Sequence, residues 1–370
     1  MILGVSAEQE ELRASVRRFL ADRAPMSRVR ELMDDGETDW TVWEQAGSQL
    51  GLQGLAIPES YGGAGFSFAE QAVVLEEFGA ALYGGPYLAS AVLAATALLA
   101  SPDEGARSGL LPDIASGQTV ATLAFTEDGG SWDPAAIRLS AVKDGEAWRL
   151  DGHKSFVLDG ATAGLILVVA TTDAGLSLFA VEGDADGLSR AALPALDQTR
   201  QLARLEFAGV TGRLIGSPGD GAAALDRALD VAAVALAAEQ LGGAQRALDM
   251  AVEYAKVRRQ FDRPIGSFQA IKHRCADLLL EVESLRSAVG YAAAAVAEDS
   301  AEIPVLASLV KAYASETYFH VAAENIQIHG GIGFTWEHDA HLYFKRAKAS
   351  ELFLGDGAYH RERLANRIGL

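Results

Sequence analysis

The sequence predicts an α+β protein in three parts: an N-terminal α-helical domain, a middle β-barrel or sandwich domain, and a C-terminal helical bundle. Two changes of hydrophobic period carry this reading. From Ser6 to about Gly117 apolar residues recur at helical spacing, and from Thr119 to about Gly212 short β-type runs alternate with Gly and Asp. From Gly221 onward the helical period returns. The corresponding boundaries fall at residues 1–118, 119–212 and 213–370. Hydrophobic residues make up 49% and charged residues 22% of the 370, enough for packed cores.

The first part opens on Ser6-Ala7-Glu8-Gln9, the pattern of a helix capping box, and Leu12, Val16, Phe19 and Leu20 form the stripe behind it. Pro25, the run from Pro58 to Gly63, and Pro86 punctuate the rest of this part. An uncharged stretch from Gly79 to Ser101 is interrupted by Gly84-Gly85-Pro86 and continues mostly in Ala, Ser and Thr. A membrane span needs about twenty strongly apolar residues, so a buried helix is expected there instead. In the middle part, Leu165 to Val169 and Leu176 to Val181 read as strands. In the last part, helices are expected over Ala222–Arg258, Phe268 to about Ala297, and Ile303–His329.

Composition narrows the function. With 31 Lys plus Arg against 50 Asp plus Glu, the formal charge is −19. Such a field repels nucleic acid and anionic membrane, so any anionic ligand must be held by local donors. The single cysteine, Cys275, excludes an intrachain disulfide framework and fits a reducing, cytoplasmic setting. The N-terminus lacks the basic and apolar regions of a signal peptide. The sequence has no Gly-x-Ser-x-Gly elbow, no Gly-Lys-Ser/Thr phosphate loop and no Gly-x-Gly-x-x-Gly after a strand. Hydrolase, NTPase and nicotinamide-dehydrogenase readings weaken together. Glu337-His338-Asp339-Ala340-His341 places two histidines three apart without a third ligand, and reads as a solvated or interface cluster, not a metal site.

Four stretches can carry chemistry. Phe125-Thr126-Glu127-Asp128-Gly129-Gly130-Ser131 comes after a strand, and its glycines let backbone N–H groups approach a ligand while Ser131 can donate to phosphate. Gly152 to Gly160 is a strand bearing Phe156, an aromatic able to stack on a flat ring. Tyr254 to Phe261, continuing to Phe268-Gln269, sets cations beside an aromatic at a helix end. Gln327-Ile328-His329-Gly330-Gly331-Ile332-Gly333 is a helix C-terminus opening into a glycine turn.

These four stretches in this order, with Ala56-Ile57-Pro58-Glu59-Ser60-Tyr61-Gly62-Gly63 near the front, resemble the acyl-CoA dehydrogenase family over essentially the whole chain. The resemblance implies a flavoprotein whose C-terminal domain is a four-helix bundle, which binds FAD between the β domain and that bundle and assembles as a tetramer, a dimer of dimers. It implies an acyl-CoA substrate whose α-proton is taken by a glutamate while the β-hydride passes to the flavin, and an electron-transfer flavoprotein as acceptor.

Carried over residue by residue, the resemblance makes Arg258, Gln260, Phe261 and Gln269 contacts to the flavin's pyrophosphate and adenosine from a neighbouring subunit. Gln327, Gly330 and Gly331 form the second such segment. Within the same chain Thr126, Ser131 and Phe156 match the ring end, but that loop is one residue short and lacks the family's proline. Leu158 stands where a hydroxyl usually meets the flavin, and leucine has none. Leu354 stands where the catalytic glutamate belongs, and Ala232 at the alternative base position. Asp356, two residues past Leu354, is the nearer candidate for the catalytic base. Glu239 lies two turns beyond Ala232, about 10 Å along the axis.

This asymmetry leads to the reading of a non-catalytic subunit in a heteromeric acyl-CoA dehydrogenase, of the kind used on steroid side chains, whose partner supplies the glutamate. A homo-oligomeric enzyme using Asp356 is the alternative, and a flavin-free CoA-binding or structural relative is the third.

Overall fold

The computed structural model describes residues 6–370, apart from the side chains of Asp34 and Asp35. The chain divides into two compact units. One comprises 6–31, Phe68–Tyr83 and Ala233–Leu370, and the other Leu32–Ser67 and Gly84–Ala232. The expected class holds: helices, then a β domain, then helices.

Helices α1 (Ala7–Arg23), α2 (Met26–Asp35) and α3 (Trp40–Leu50) open the chain, with α4 (Phe68–Ala80) next. The capping box forms as read, with Ser6 and Gln9 exchanging side-chain and backbone bonds. Asp39 caps α3, which ends on left-handed Gly51. The Ala-rich stretch after Pro86 is buried but not regular α-helix. Leu88–Ala94 is π-helical, with every residue buried, and runs into α5 (Ala95–Ala100). Helix α6 (Glu104–Ala115) completes the group. Among the described residues no helix is long and apolar enough to cross a membrane.

The β domain is one seven-stranded sheet. Its strands are β1 (Ala121–Ala124), β2 (Ser140–Asp144), β3 (Ala147–Leu158), β4 (Leu165–Thr172), β5 (Gly175–Glu182), β6 (Leu188–Leu193) and β7 (Leu202–Ile215). Pairings β4–β2–β3–β7–β5 return to β4, so the sheet closes on itself, with β2 meeting β4 only at Ser140 and Thr171. β1 lies parallel to the first half of β4, and β6 lies along β7. β4 is buried along nearly its whole length, which is why it reads as an unbroken apolar run.

The last five helices are α7 (Gly221–Val257), α8 (Gln269–Ala297), α9 (Ile303–His329), α10 (Ala340–Leu352) and α11 (Gly357–Arg367). The hairpin between α7 and α8 is β8 (Arg259–Gln260) with β9 (Arg263–Pro264). Helices α8, α10 and α11 all pack on α9. Helices α4 and α7 cross where both are glycine. A Cβ on Gly242 would sit 1.7 Å from Glu76 O, and one on Gly79 would sit 1.9 Å from Glu239 O. Only glycine lets two helix backbones meet that closely.

Candidate functional site

In the helical unit two of the predicted segments come together at one end. Tyr254, one turn before Arg258, stacks on His329 with ring centroids 4.3 Å apart. Beneath them Ala251, Ala255 and Ile328 form a buried cluster with Ile265, Ile271 and Cys275 packed against it. The hairpin is tied back by the Ile265 N–H, which donates to Arg258 O at 2.8 Å. This core joins the segment that carries Arg258, Gln260, Phe261 and Gln269 to the one that carries Gln327, Gly330 and Gly331, and all seven residues are exposed.

Among the described residues the side chains of Arg258, Gln260, Gln269 and Gln327 have no hydrogen-bond or ion-pair partner. Phe261 is 87% exposed. A Cβ on Gly330 or Gly331 would touch nothing, so the backbone there is open to approach. The result is a cation, three amides, an aromatic ring and bare backbone exposed on two adjoining segments. That donor set suits a phosphate-bearing ligand with a flat ring.

In the other unit the Thr126–Ser131 loop lies against the strand segment that carries Phe156. The Ser155 N–H donates to Thr126 O at 2.9 Å, and the Thr126 hydroxyl returns to Ser155 O at 2.6 Å. Phe156 sits at φ +58, within a bulge between Lys154 and Val157, and its ring borders Gly130. Ser131 Oγ accepts the Asp133 N–H at 3.2 Å. Leu158 is buried, and its carbonyl accepts the Thr122 hydroxyl at 2.5 Å.

Two braces of this loop escape sequence reading. Asp128 binds Arg204 in a fork at 2.9 and 3.0 Å, takes the Ser155 hydroxyl, and lies 3.2 Å from His153. Arg204 and Ser155 hold its carboxyl well below the usual range, at about 2. The fork to Arg204 ties Asp128, and with it this loop, to β7. The second brace is Lys154, fully buried, donating to Phe125 O and Glu127 Oε1 at 3.0 Å each. Burial pushes this lysine down to about 8 despite Glu127. Both partners lie far along the chain from the loop's own motif, and only the Lys in Gly152-His153-Lys154 hints at them.

Each candidate base has a defined place. Leu354 is buried, at φ +63, in the turn after α10. Asp356 is the N-cap of α11, accepting the Tyr359 N–H at 2.8 Å. Glu239 is buried in α7 and paired with Arg346 at 2.7 Å. Ala232 is buried.

The likeness to known proteins extends over nearly the whole chain. The chain matches the acyl-CoA dehydrogenase N-terminal domain over residues 6–118, the middle domain over 122–210 and the C-terminal domain over 219–369. It is 37% identical over 348 residues to the acyl-CoA dehydrogenase IpdE2 of Mycobacterium tuberculosis, covering 94% of this chain and 93% of that one. Among solved structures it resembles a variant of the Tcur3481–Tcur3483 steroid ACAD at TM-score 0.89 and 35% identity, covering 99% of this chain and 98% of that one. It resembles the ChsE4–ChsE5 complex of Mycobacterium tuberculosis at TM-score 0.90 and 31% identity, covering 100% and 99%. The chain belongs to the acyl-CoA dehydrogenase family of oxidoreductases.

Proposed function

We propose that this chain is the base-lacking subunit of a heteromeric, FAD-dependent acyl-CoA dehydrogenase, working in a tetramer with a second chain that supplies the catalytic glutamate. One contrast within the helical unit carries the reading. Among the described residues the side chains of Arg258, Gln260, Gln269 and Gln327 are exposed and without a partner, while the Phe353–Gly357 turn offers only a buried leucine and an aspartate engaged as a helix cap.

Arg258, Gln260, Gln269 and Gln327 would hold the pyrophosphate and adenosine of FAD, with Phe261 against the purine and the Gly330–Gly331 backbone pressed close. Thr126, Ser131 and Phe156 would serve the ring end, where Leu158 has no side-chain donor to offer. When bound, FAD accepts the hydride from the acyl-CoA β-carbon, and an electron-transfer flavoprotein takes the electrons on. This chain's own residues grip and orient. The relatives whose names join two components, Tcur3481–Tcur3483 and ChsE4–ChsE5, support the heteromeric reading. The word steroid in the first favours a bulky acyl-CoA.

The test is purification of the chain alone and with a co-expressed second acyl-CoA dehydrogenase-like chain. Flavin absorbance and acyl-CoA-dependent reduction of an artificial acceptor are then measured. Alone it should be nearly colourless and inactive, and together yellow and active. In the complex, Arg258→Ala should weaken FAD binding by about 10–100-fold, as expected for one charged hydrogen bond to phosphate. Full flavin occupancy with turnover by the single chain would overturn the proposal.

A further inference from the structure

The Glu337–His341 cluster gathers no metal site, since among the described residues no three His, Cys, Asp or Glu side chains come together to hold one. Its geometry points elsewhere. The chain leaves α9 at His329, turns through Gly330–Phe334 and enters α10 at Ala340. Three imidazoles line this passage.

His329 is buried between the Tyr254 and His338 rings, each 4.3 Å away, and lies with Nδ1 2.8 Å from Asn325 O. A carbonyl only accepts, so this Nδ1 carries the proton. His341 meets Trp336 edge-on at 5.0 Å. His338 differs from both, because its Nδ1 accepts the Ala340 N–H at 3.1 Å and must therefore be bare. Asp339, at the cap position, makes no side-chain cap bond. Its carboxylate is held by Arg30 instead, at 2.7 and 2.9 Å. The imidazole of His338 thus stands in as the cap of α10.

An imidazole can do this only while neutral. Imidazolium has two donors and no acceptor, so no ring flip restores the bond. A cation at a helix N-terminus is also opposed by the helix dipole. We propose that His338 is a proton-sensitive cap, whose protonation releases the N-terminus of α10 and loosens the Gly330–Phe334 turn.

The charged neighbours are mixed. Arg30 from α2, His341 on α10 and His329 on α9 oppose a charge on His338, whereas Asp339 favours one. Lys345 lies 4.2 Å over the Trp336 ring, and Glu337 is adjacent in sequence. Burial dominates and, with His341 and Arg30, outweighs Asp339, so His338 sits below its ordinary value near 6.5. The unfolded chain takes a proton near that value and the folded one resists it, so the structure loses stability as pH falls below it. Gln327, Gly330 and Gly331 lie on the same passage, so a weaker hold on a dinucleotide in acid is the consequence that rests on the function proposed above.

Hydrogen exchange of the purified protein at pH 7.5 and 5.5, corrected for intrinsic amide rates, tests the cap directly. Peptides spanning 330–345 should exchange about fivefold faster at the lower pH, the order expected for losing one helix cap. His338→Asn keeps an acceptor without a titrating group and should remove the pH effect. His338→Ala should exchange fast at both pH values. A wild type indifferent to pH, a His338→Asn variant that still opens in acid, or a His338→Ala variant protected at both would overturn the idea. The readout needs no flavin, so failure of the shared-cofactor reading leaves this result intact.

Discussion

Arg346 on α10 donates to Glu239 on α7 at 2.7 Å, with the two side chains only 2% and 8% exposed. The pair occupies the carboxylate that is the second candidate for proton abstraction, so Glu239 is a structural group of the helical core. Breaking a buried pair from one side strands a charge and costs about 3–5 kcal/mol. Arg346→Met should therefore lower stability by about that amount in urea unfolding. The double variant Glu239→Leu/Arg346→Met should recover most of the loss, because two well-packed apolar chains need no counter-ion. A single variant as stable as the wild type would show that water reaches the pair.

Lys311 is a second buried cation of the helical unit, and its ammonium holds a turn. It donates to Ser315 Oγ at 2.9 Å, Glu351 O at 3.1 Å and Gly355 O at 2.9 Å, while His360 Nε2 lies 3.0 Å from Leu354 O. Between those anchors Leu354 adopts a left-handed conformation that costs a non-glycine residue about 1–2 kcal/mol. Lys311→Met keeps the stem and removes the donors, stranding two carbonyls. The expected net loss is about 1–3 kcal/mol, read by thermal unfolding, with faster exchange confined to 351–357.

Acid should act on each unit through a different group. Burial and the nearby Lys311 cation push His360 down to about 3. The unfolded histidine binds its proton near 6.5, so stability falls as pH drops from that value toward 3. His360→Gln should flatten this part of the curve. Asp128 runs the other way in type but not in direction: its folded value of about 2 lies below the ordinary 3.8, so its contribution is present above 3.8 and is lost as pH falls toward 2. Asp128→Asn should remove that last acid-sensitive step, monitored by circular dichroism. Since the carboxylate is half exposed, the change at pH 7 should be small.

The long helices were legible because their signals are local. The reading of Ile303–His329 coincides with α9, and the readings of α7 and α8 lie within one residue at each end, each being a long run at helical period. The π-helical Leu88–Ala94 was not legible, because an Ala-rich apolar run carries no mark of a wider turn. Closure of the sheet was suspected but not its register, since β4 takes neighbours from strands before and after it in sequence. At the candidate site the same division holds. The Arg258–Gln269 and Gln327–Gly331 stretches announce themselves as compact motifs. The Asp128–Arg204 lock spans 76 residues and the Lys311–Gly355 bond 44, distances over which a single sequence gives no pairing.

Asp356 separates the two catalytic readings most cleanly. Its Oδ1 accepts the Tyr359 N–H at 2.8 Å, and its backbone is extended, as a helix cap requires. Asparagine caps as well as aspartate does, so Asp356→Asn should leave stability unchanged, whereas Asp356→Ala should cost about 1 kcal/mol. In a two-chain complex whose other member holds the glutamate, Asp356→Asn should turn over acyl-CoA at the wild-type rate. Were Asp356 the base, the same variant would keep its flavin and lose about 10²–10⁴-fold in turnover, the usual contribution of general-base catalysis. Because the amide preserves the cap, a loss of that size could not be blamed on a disordered turn, and it would return the chemistry to this chain.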